Sequence, residues 1–248
     1  MKIIKKVFVV VCILVGVILI LGGLFKYKNY SEMGKMNPNE TKEVVAGIYS
    51  INDTFVNMYL VKSGNNYVAI DAASNLQKVK QEMDKLNIAP ENVTAILFTH
   101  TDYDHVGALK LFNNAKAYIS SVEEQMINGK TARTLGIKKN TLDSDYEMIE
   151  DNQTIDISGV KVKGILTPGH TPGSMSYIIN DEYLFTGDTL SLKDGKAELF
   201  NEWFNMDSDA QGKSISMLAN LSGIRYIFTA HYGYTDNFQD ALSSWKGK

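Results

Sequence analysis

Residues 93–105 read VTAILFTHTDYDH, and this stretch decides the fold. Its first six residues form a short, nearly all-apolar run, as expected of a strand covered on both faces. The apolar run ends at Phe98, and Thr99, His100, Thr101, Asp102, Tyr103, Asp104 and His105 follow at once. Imidazoles and carboxylates crowded into the loop after a buried strand are groups that a rigid scaffold presents at one edge of a sheet.

Three further segments repeat this arrangement. Thr167-Pro168-Gly169-His170-Thr171-Pro172-Gly173-Ser174 follows a strand-like stretch, as do Phe185-Thr186-Gly187-Asp188-Thr189 and Thr229-Ala230-His231-Tyr232-Gly233. The chain has only four histidines, and each lies in one of these loops. Imidazole nitrogen and carboxylate oxygen are ligands of zinc, manganese and iron. The candidates are His100, Asp102, Asp104, His105, His170, Asp188 and His231. They are too many for one tetrahedral ion with an open position, and suit two ions about 3.5–4 Å apart. Turn chemistry explains any one of these residues alone. It gives no reason for every histidine to follow a strand beside Gly, Thr or Asp.

Around these loops the text alternates between strand and helix patterns. Residues 44–51, 57–61, 67–70, 117–119, 154–157, 160–166, 176–179, 183–185 and 226–228 read as strands. Residues 76–86 carry apolar side chains at 76, 79, 83 and 86, which is helical spacing. Further helices are expected at 107–112, 122–127, 208–221 and 237–245. Mixed strands and helices favour a layered α/β (α+β) arrangement over a bundle or an all-β sandwich.

The first residues differ from the rest. Lys2, Lys5 and Lys6 precede residues 7–25, which carry no charge, and Lys26 and Lys28 follow. As a helix that run is about 28 Å long, close to the roughly 30 Å hydrocarbon core of a bilayer. It exceeds the apolar region of an ordinary signal peptide, and no small-x-small cleavage pattern follows it. Residues 1–28 are therefore expected to anchor the chain in the cell membrane as a single pass, with residues 29–41 a polar tether. The domain at 42–248 is expected on the extracytoplasmic side. Its only possible thiol, Cys12, lies in the apolar run, so the domain has neither disulfide nor thiolate ligand. A net charge of −3 and no long basic run outside the N-terminus argue against nucleic acid as a partner.

His100-Thr101-Asp102-Tyr103-Asp104-His105, Pro168-Gly169-His170-Thr171-Pro172-Gly173, Gly187-Asp188 and Ala230-His231, in this order, resemble the motifs of the metallo-β-lactamase-fold hydrolases. The resemblance implies a four-layer αββα sandwich with metals at one edge of two packed sheets. It implies that His100, Asp102 and His170 hold one ion, that Asp104, His105 and His231 hold the other, and that Asp188 bridges them. Asp104 is also the expected catalytic carboxylate. Two divalent ions are implied, with zinc the first expectation. Asp102 stands where the family usually has His, or Glu in some iron-containing relatives, which leaves manganese and iron open. The antibiotic-hydrolysing branch typically has Cys where Asp188 stands, so the resemblance points instead to the lactonases, thioesterases and phosphodiesterases of the family.

The expected function is therefore a metal-dependent hydrolase in which a metal-activated hydroxide attacks a small ester-type substrate: a lactone, thioester, carboxylic ester or phosphodiester. Two alternatives are a di-iron protein reducing oxygen or nitric oxide, and a non-catalytic metal-binding sensor. Tyr103 and Tyr232 are candidates for contacting substrate, with packing at the pocket rim as the other reading. Residues 191–205, with Phe200, Trp203 and Phe204, are a pocket wall, a lid or a surface apolar patch.

Overall fold

A computed structural model describes residues 2–133 and 139–248, and the chain divides into one unit ending at Met36 and another from Asn37 to Lys248. The first unit is a single helix, α1, Lys2–Met33. Among the described residues it is the one helix long and apolar enough to cross a membrane. Its end differs from the expected boundary at residue 28, because helix continues for five residues into the polar stretch. Glu32 explains this: Lys28 pairs with it at i,i+4 and Lys35 at i,i+3, both spacings that helical geometry favours. Residues 37–41, also expected in the tether, belong to the second unit. There Asn37 N donates to His231 O (2.8 Å) and Asn39 N to Asn57 Oδ1 (2.7 Å).

The second unit contains two large sheets. The first has the order β1-β2-β3-β4-β5-β6-β7. Its strands are β1 Lys42–Val45, β2 Ile48–Asp53, β3 Val56–Ser63, β4 Asn66–Ile70, β5 Val93–Leu97, β6 Lys116–Ser120 and β7 Tyr146–Ile149. Strands β1 to β4 are antiparallel neighbours, and β4 to β7 are parallel. The second has the order β15-β14-β11-β10-β9-β8. It comprises β8 Thr154–Ile157, β9 Val160–Leu166, β10 Met175–Ile179, β11 Tyr183–Phe185, β14 Tyr226–Phe228 and β15 Tyr234–Thr235. A separate hairpin joins β12 Leu190–Lys193 to β13 Lys196–Leu199.

The period-two alternation of each strand sorts its side chains into layers. In β3 and β5, Tyr59, Val61, Ala95 and Leu97 face Val162, Met175, Tyr177, Phe185 and Phe228 of the second sheet. The alternate residues Met58, Leu60 and Ile96 pack on the other side with Val79 and Met83 of helix α2, Leu76–Lys85. On the far face of the second sheet, Ile165, Ile178, Leu184 and Ile227 pack with Ile215 and Leu218 of helix α5, Ser208–Leu218. The result is helix, sheet, sheet, helix, the αββα sandwich expected. The two buried strand faces of β5 are the physical content of its unbroken apolar run.

Several elements depart from the expected boundaries. Residues 44–51 make two strands, because Gly47 turns the chain at φ 77° between β1 and β2. The helix expected at 107–112 starts earlier, inside the histidine motif, as the single turn α3, Tyr103–Val106. Only a 3₁₀ turn, Leu109–Leu111, follows it. Helix α4, Glu124–Asn128, begins two residues later than expected. The final helix is the short α6, Phe238–Ala241, followed by a 3₁₀ turn. Strand β7 and the β12–β13 hairpin were not expected; each strand has four residues, too short to show a period.

Candidate metal centre

Strands β9, β11 and β14 point the same way, since β9 and β11 are both antiparallel to β10 and β14 is parallel to β11. The loops after them therefore open on one edge of the second sheet. Three bonds align that edge with the end of β5: Met175 N to Thr99 O (2.8 Å), Tyr177 OH to Phe98 O (2.8 Å) and, from β3, Tyr59 OH to Thr229 O (2.8 Å). All seven candidate ligands consequently meet in one cluster.

Asp188 lies at its centre. Its Oδ1 is 3.5 Å from His105 Nε2 and 3.2 Å from His231 Nε2, while Oδ2 is 3.3 Å from His170 Nε2 and 4.0 Å from His100 Nε2. Asp104 Oδ2 lies 3.4 Å from His231 Nε2 and 3.8 Å from His105 Nε2. Asp102 Oδ2 lies 3.2 Å from His170 Nε2 and 3.5 Å from His100 Nε2. Ligands about 2.0–2.1 Å from a tetrahedral zinc lie about 3.3–3.4 Å from one another. The observed separations scatter around that edge length in both groups. His100, Asp102 and His170 form one set, and Asp104, His105 and His231 the other.

A second layer orients each imidazole through Nδ1. His105 Nδ1 donates to Asp71 Oδ2 (2.8 Å) and His231 Nδ1 to Phe55 O (2.6 Å). His100 Nδ1 lies 3.1 Å from Thr99 Oγ1, and His170 Nδ1 3.4 Å from Asn205 Oδ1. All four Nε2 atoms are thereby turned inward, the arrangement that fixes tautomer and ring direction in metal sites. Asp71 also accepts from Thr99 N and Thr99 Oγ1, and it holds this position at φ 60°. Glu123 accepts from Thr101 N, Thr101 Oγ1 and Thr171 Oγ1, tying the first loop to the second. Gly173 is needed at that junction, because a Cβ there would lie 2.2 Å from Glu123 N.

Four buried atoms of the cluster lack any hydrogen-bond partner among the described residues: His100 Nε2, His105 Nε2, His231 Nε2 and Asp188 Oδ1. Each such atom ordinarily costs about 1–3 kcal/mol. A divalent cation satisfies imidazole lone pairs and a carboxylate together, so the donor set fits a bound metal.

Electrostatics lead to the same view. Burial pushes Asp188 up, but His231, His105 and His170 outweigh it and hold the carboxyl well below its usual range. Burial pushes His105 and His231 down, yet Asp188 and neighbouring carboxylates lift both above the ordinary imidazole value. The cage therefore favours positive charge. His170 differs: burial and then the Arg133 guanidinium lower it to about 4, leaving it neutral at pH 7. Asp102 is pushed up by burial, but the neighbouring His100 and His170 imidazoles and the charge of Arg133 hold it well below the usual range.

The sequence profile of the metallo-beta-lactamase superfamily matches residues 51–231. The chain belongs to this superfamily. A Bacillus velezensis protein named as a probable polyketide biosynthesis zinc-dependent hydrolase is 31% identical over 132 residues, 52% of this chain and 52% of that protein. The hydroxyacylglutathione hydrolase of Serratia proteamaculans is 27% identical over 174 residues, 70% of this chain and 61% of that protein. The chain thus spans roughly half to two thirds of the length of these relatives. A metallo-beta-lactamase family protein of Thermus thermophilus superposes with a TM-score of 0.63 at 18% identity, covering 82% of this chain and 79% of its own. A B3 metallo-beta-lactamase with an active-site glutamic acid gives 0.66 at 17%, covering 88% and 90%. These structural likenesses establish the superfamily fold.

Of the two tyrosines singled out, Tyr103 is 72% exposed and lines a surface pocket with Val106, Leu109, Lys110 and Asp143, none of them a member of the cluster. Tyr232 meets Phe200 edge-on at 6.1 Å. Phe200 itself is buried against His170 (5.1 Å) and His231 (5.6 Å), so the 191–205 segment supplies one wall of the cluster. Trp203 remains at the surface. The sequence reading missed Asp71, Glu123 and Arg133. Asp71 follows the apolar end of β4 and carries the same strand-end signal as the ligands. Arg133 lies in a stretch with no periodic pattern and gave no signal.

Proposed function

We propose that the domain is a metal-dependent hydrolase of an ester-type bond in a small substrate: lactone, thioester, carboxylic ester or phosphodiester. The observation that carries the reading is the set of four unpartnered buried atoms, His100 Nε2, His105 Nε2, His231 Nε2 and Asp188 Oδ1, converging in one cage. Asp104, His105, His231 and Asp188 would hold a divalent ion, with His100, Asp102 and His170 as a neighbouring set. A divalent ion in such a site supplies an acidified water and a polarised electrophile. Asp104, with 26% of its side chain exposed, is the carboxylate placed to pass a proton between the cluster and solvent. Phe200 closes one side and keeps bulk water from His170 and His231. Asp188 in place of the thiolate of the antibiotic-hydrolysing branch favours esters over β-lactams, and a hydroxyacylglutathione hydrolase is among the relatives. Full-length protein loaded with zinc and screened on the four ester classes should turn over at least one. A chelator should abolish turnover and added zinc restore it. No turnover on any class, with zinc bound, would refute the reading.

The same proposal places the domain outside the cell membrane, held by α1. The length and apolarity of that helix support the anchor, and three lysines before the apolar run against two after it support the side. Protease added to intact cells should release the domain, and protection would reverse the orientation.

A further inference from the structure

The two ligand groups are not equivalent, because one contains a cation already. Arg133 Nε donates to Asp102 Oδ1 (2.9 Å), and Nη2 lies 2.5 Å from Asp102 Oδ2, the two-point fork that guanidinium makes with carboxylate. The same Nη2 is 2.8 Å from His170 Nε2 and 3.2 Å from His170 O, while Nη1 donates to Phe204 O (2.5 Å). Asn140 Nδ2 adds a further bond to Asp102 Oδ1 (3.0 Å). A guanidinium only donates. The lone pair of His170 Nε2 is therefore directed at Arg133, and both oxygens of Asp102 are engaged.

In the other group nothing of the kind occurs. His105 Nε2, His231 Nε2 and Asp188 Oδ1 are all without a partner, although they are as deeply buried as His170; in the Arg133 group only His100 Nε2, which Arg133 does not reach, is in that position.

We propose that the Arg133 guanidinium serves as the fixed cation of the His100–Asp102–His170 group, and that the chain holds a single divalent ion, at Asp104, His105, His231 and Asp188. This rests on the reading of the cluster as a metal centre, and it replaces the two-ion expectation with one ion and one arginine. Arg133 is a positioning residue here: it holds Asp102 and His170 in place of a metal. The guanidinium's planar fork suits the task, because it is always charged and cannot exchange or be chelated.

The test is metal stoichiometry, measured by mass spectrometry and by zinc titration calorimetry on the full chain purified in detergent. Wild type should bind one zinc per chain and Arg133→Ala two. His170→Ala should keep its one zinc, and His231→Ala should bind none. Two zinc ions on wild type, one on Arg133→Ala, or loss of the ion from His170→Ala would each overturn the inference. If Arg133→Ala does not fold, the His170 and His231 variants decide on their own. Two ions with chelator-sensitive turnover would sink this inference and leave the hydrolase reading intact. One ion without turnover on any ester would do the reverse. No zinc on wild type would overturn both.

Discussion

Asp71→Asn isolates the outer layer of the metal centre from the fold. Asp71 sits at φ 60°, a region that Asn enters as readily as Asp, so the backbone is not strained by the change. The retained amide oxygen can still accept from Thr99 N, as Asp71 Oδ1 does at 2.8 Å. The new NH₂ replaces Oδ2, which accepts from Thr99 Oγ1 (2.9 Å) and His105 Nδ1 (2.8 Å). The threonine hydroxyl can rotate to accept instead. His105 cannot do so without changing tautomer: its Nδ1 must become the acceptor, and the proton moves to Nε2. Nε2 is the atom aimed at Asp188 and Asp104, so the metal-facing lone pair is lost.

A hydrogen bond to a charged group is worth about 1.5–3 kcal/mol. Loss of an outer partner of a metal-bound histidine typically costs about 10–100-fold in affinity, the same range. We therefore expect Asp71→Asn to bind zinc about 10–100-fold more weakly, measured by competition with a chromophoric chelator. The metal-free melting temperature should move by less than about 4 °C, the equivalent of roughly 1 kcal/mol for a domain of this size. Zinc affinity within twofold of wild type would refute the argument that Asp71 sets the His105 tautomer.

Gly187→Ala should destabilise by about 2–4 kcal/mol, from an Ala at positive φ and from overpacking. The residue has φ 52°, and a Cβ there would lie 2.4 Å from Thr99 Oγ1, which Asp71 holds in place; thermal melts of metal-free protein would show it, and a drop under about 2 °C would contradict the packing. Glu82 on α2 is pushed up by burial, but Lys78 and Lys85 outweigh this and lower it to about 2. Its stabilisation is thus fully present above the ordinary carboxylate range and lost as pH falls through about 2. The lysines are 38% and 62% exposed, which screens the pair, so Glu82→Gln should cost only about 1 kcal/mol at pH 7 and progressively less as pH falls towards the value of about 2; a constant difference across that range would argue against the pairing. Zinc must displace protons from His105 and His231, both lifted above the ordinary imidazole value, so zinc affinity should fall as pH drops from 8 to 6. Affinity independent of pH over that interval would show both histidines already neutral.

How much was legible in the sequence follows from where the information lies. Residues 93–98 announced a doubly covered strand, and β5 is covered by Tyr177 on one side and α2 on the other. All seven candidate residues were visible because each follows a strand end, and the parallel run of β9, β11 and β14 turns that local signal into a shared edge. What stayed hidden depends on contacts distant in sequence. Asp71 and His105 are 34 residues apart, and Arg133 is 31 from Asp102 and 37 from His170. No periodicity or spacing rule connects such pairs. The helical end of the polar stretch after residue 28 was likewise set by pairing of Lys28 and Lys35 to Glu32, which outweighed a composition that reads as linker.

Asp102 shows how a single hidden residue changes the chemistry read from a motif. With two ions in the site, an aspartate in place of histidine would complete a formally neutral set: four positive charges against Asp102, Asp104, Asp188 and a hydroxide. With Arg133 in the site the same aspartate has another reason to be there. A guanidinium has only donors, so the residue facing it must accept at two points, which a carboxylate does and an imidazole does not. Asp102→His should therefore expel Arg133 rather than simply retune a metal. The freed group would then have three imidazoles and Asp188, a donor set suited to zinc. The variant should gain a zinc ion, and combining it with Arg133→Ala should add no further one. A variant that still holds a single zinc would show that Arg133 keeps its place without the carboxylate, and that the pairing of these two residues does not explain the aspartate.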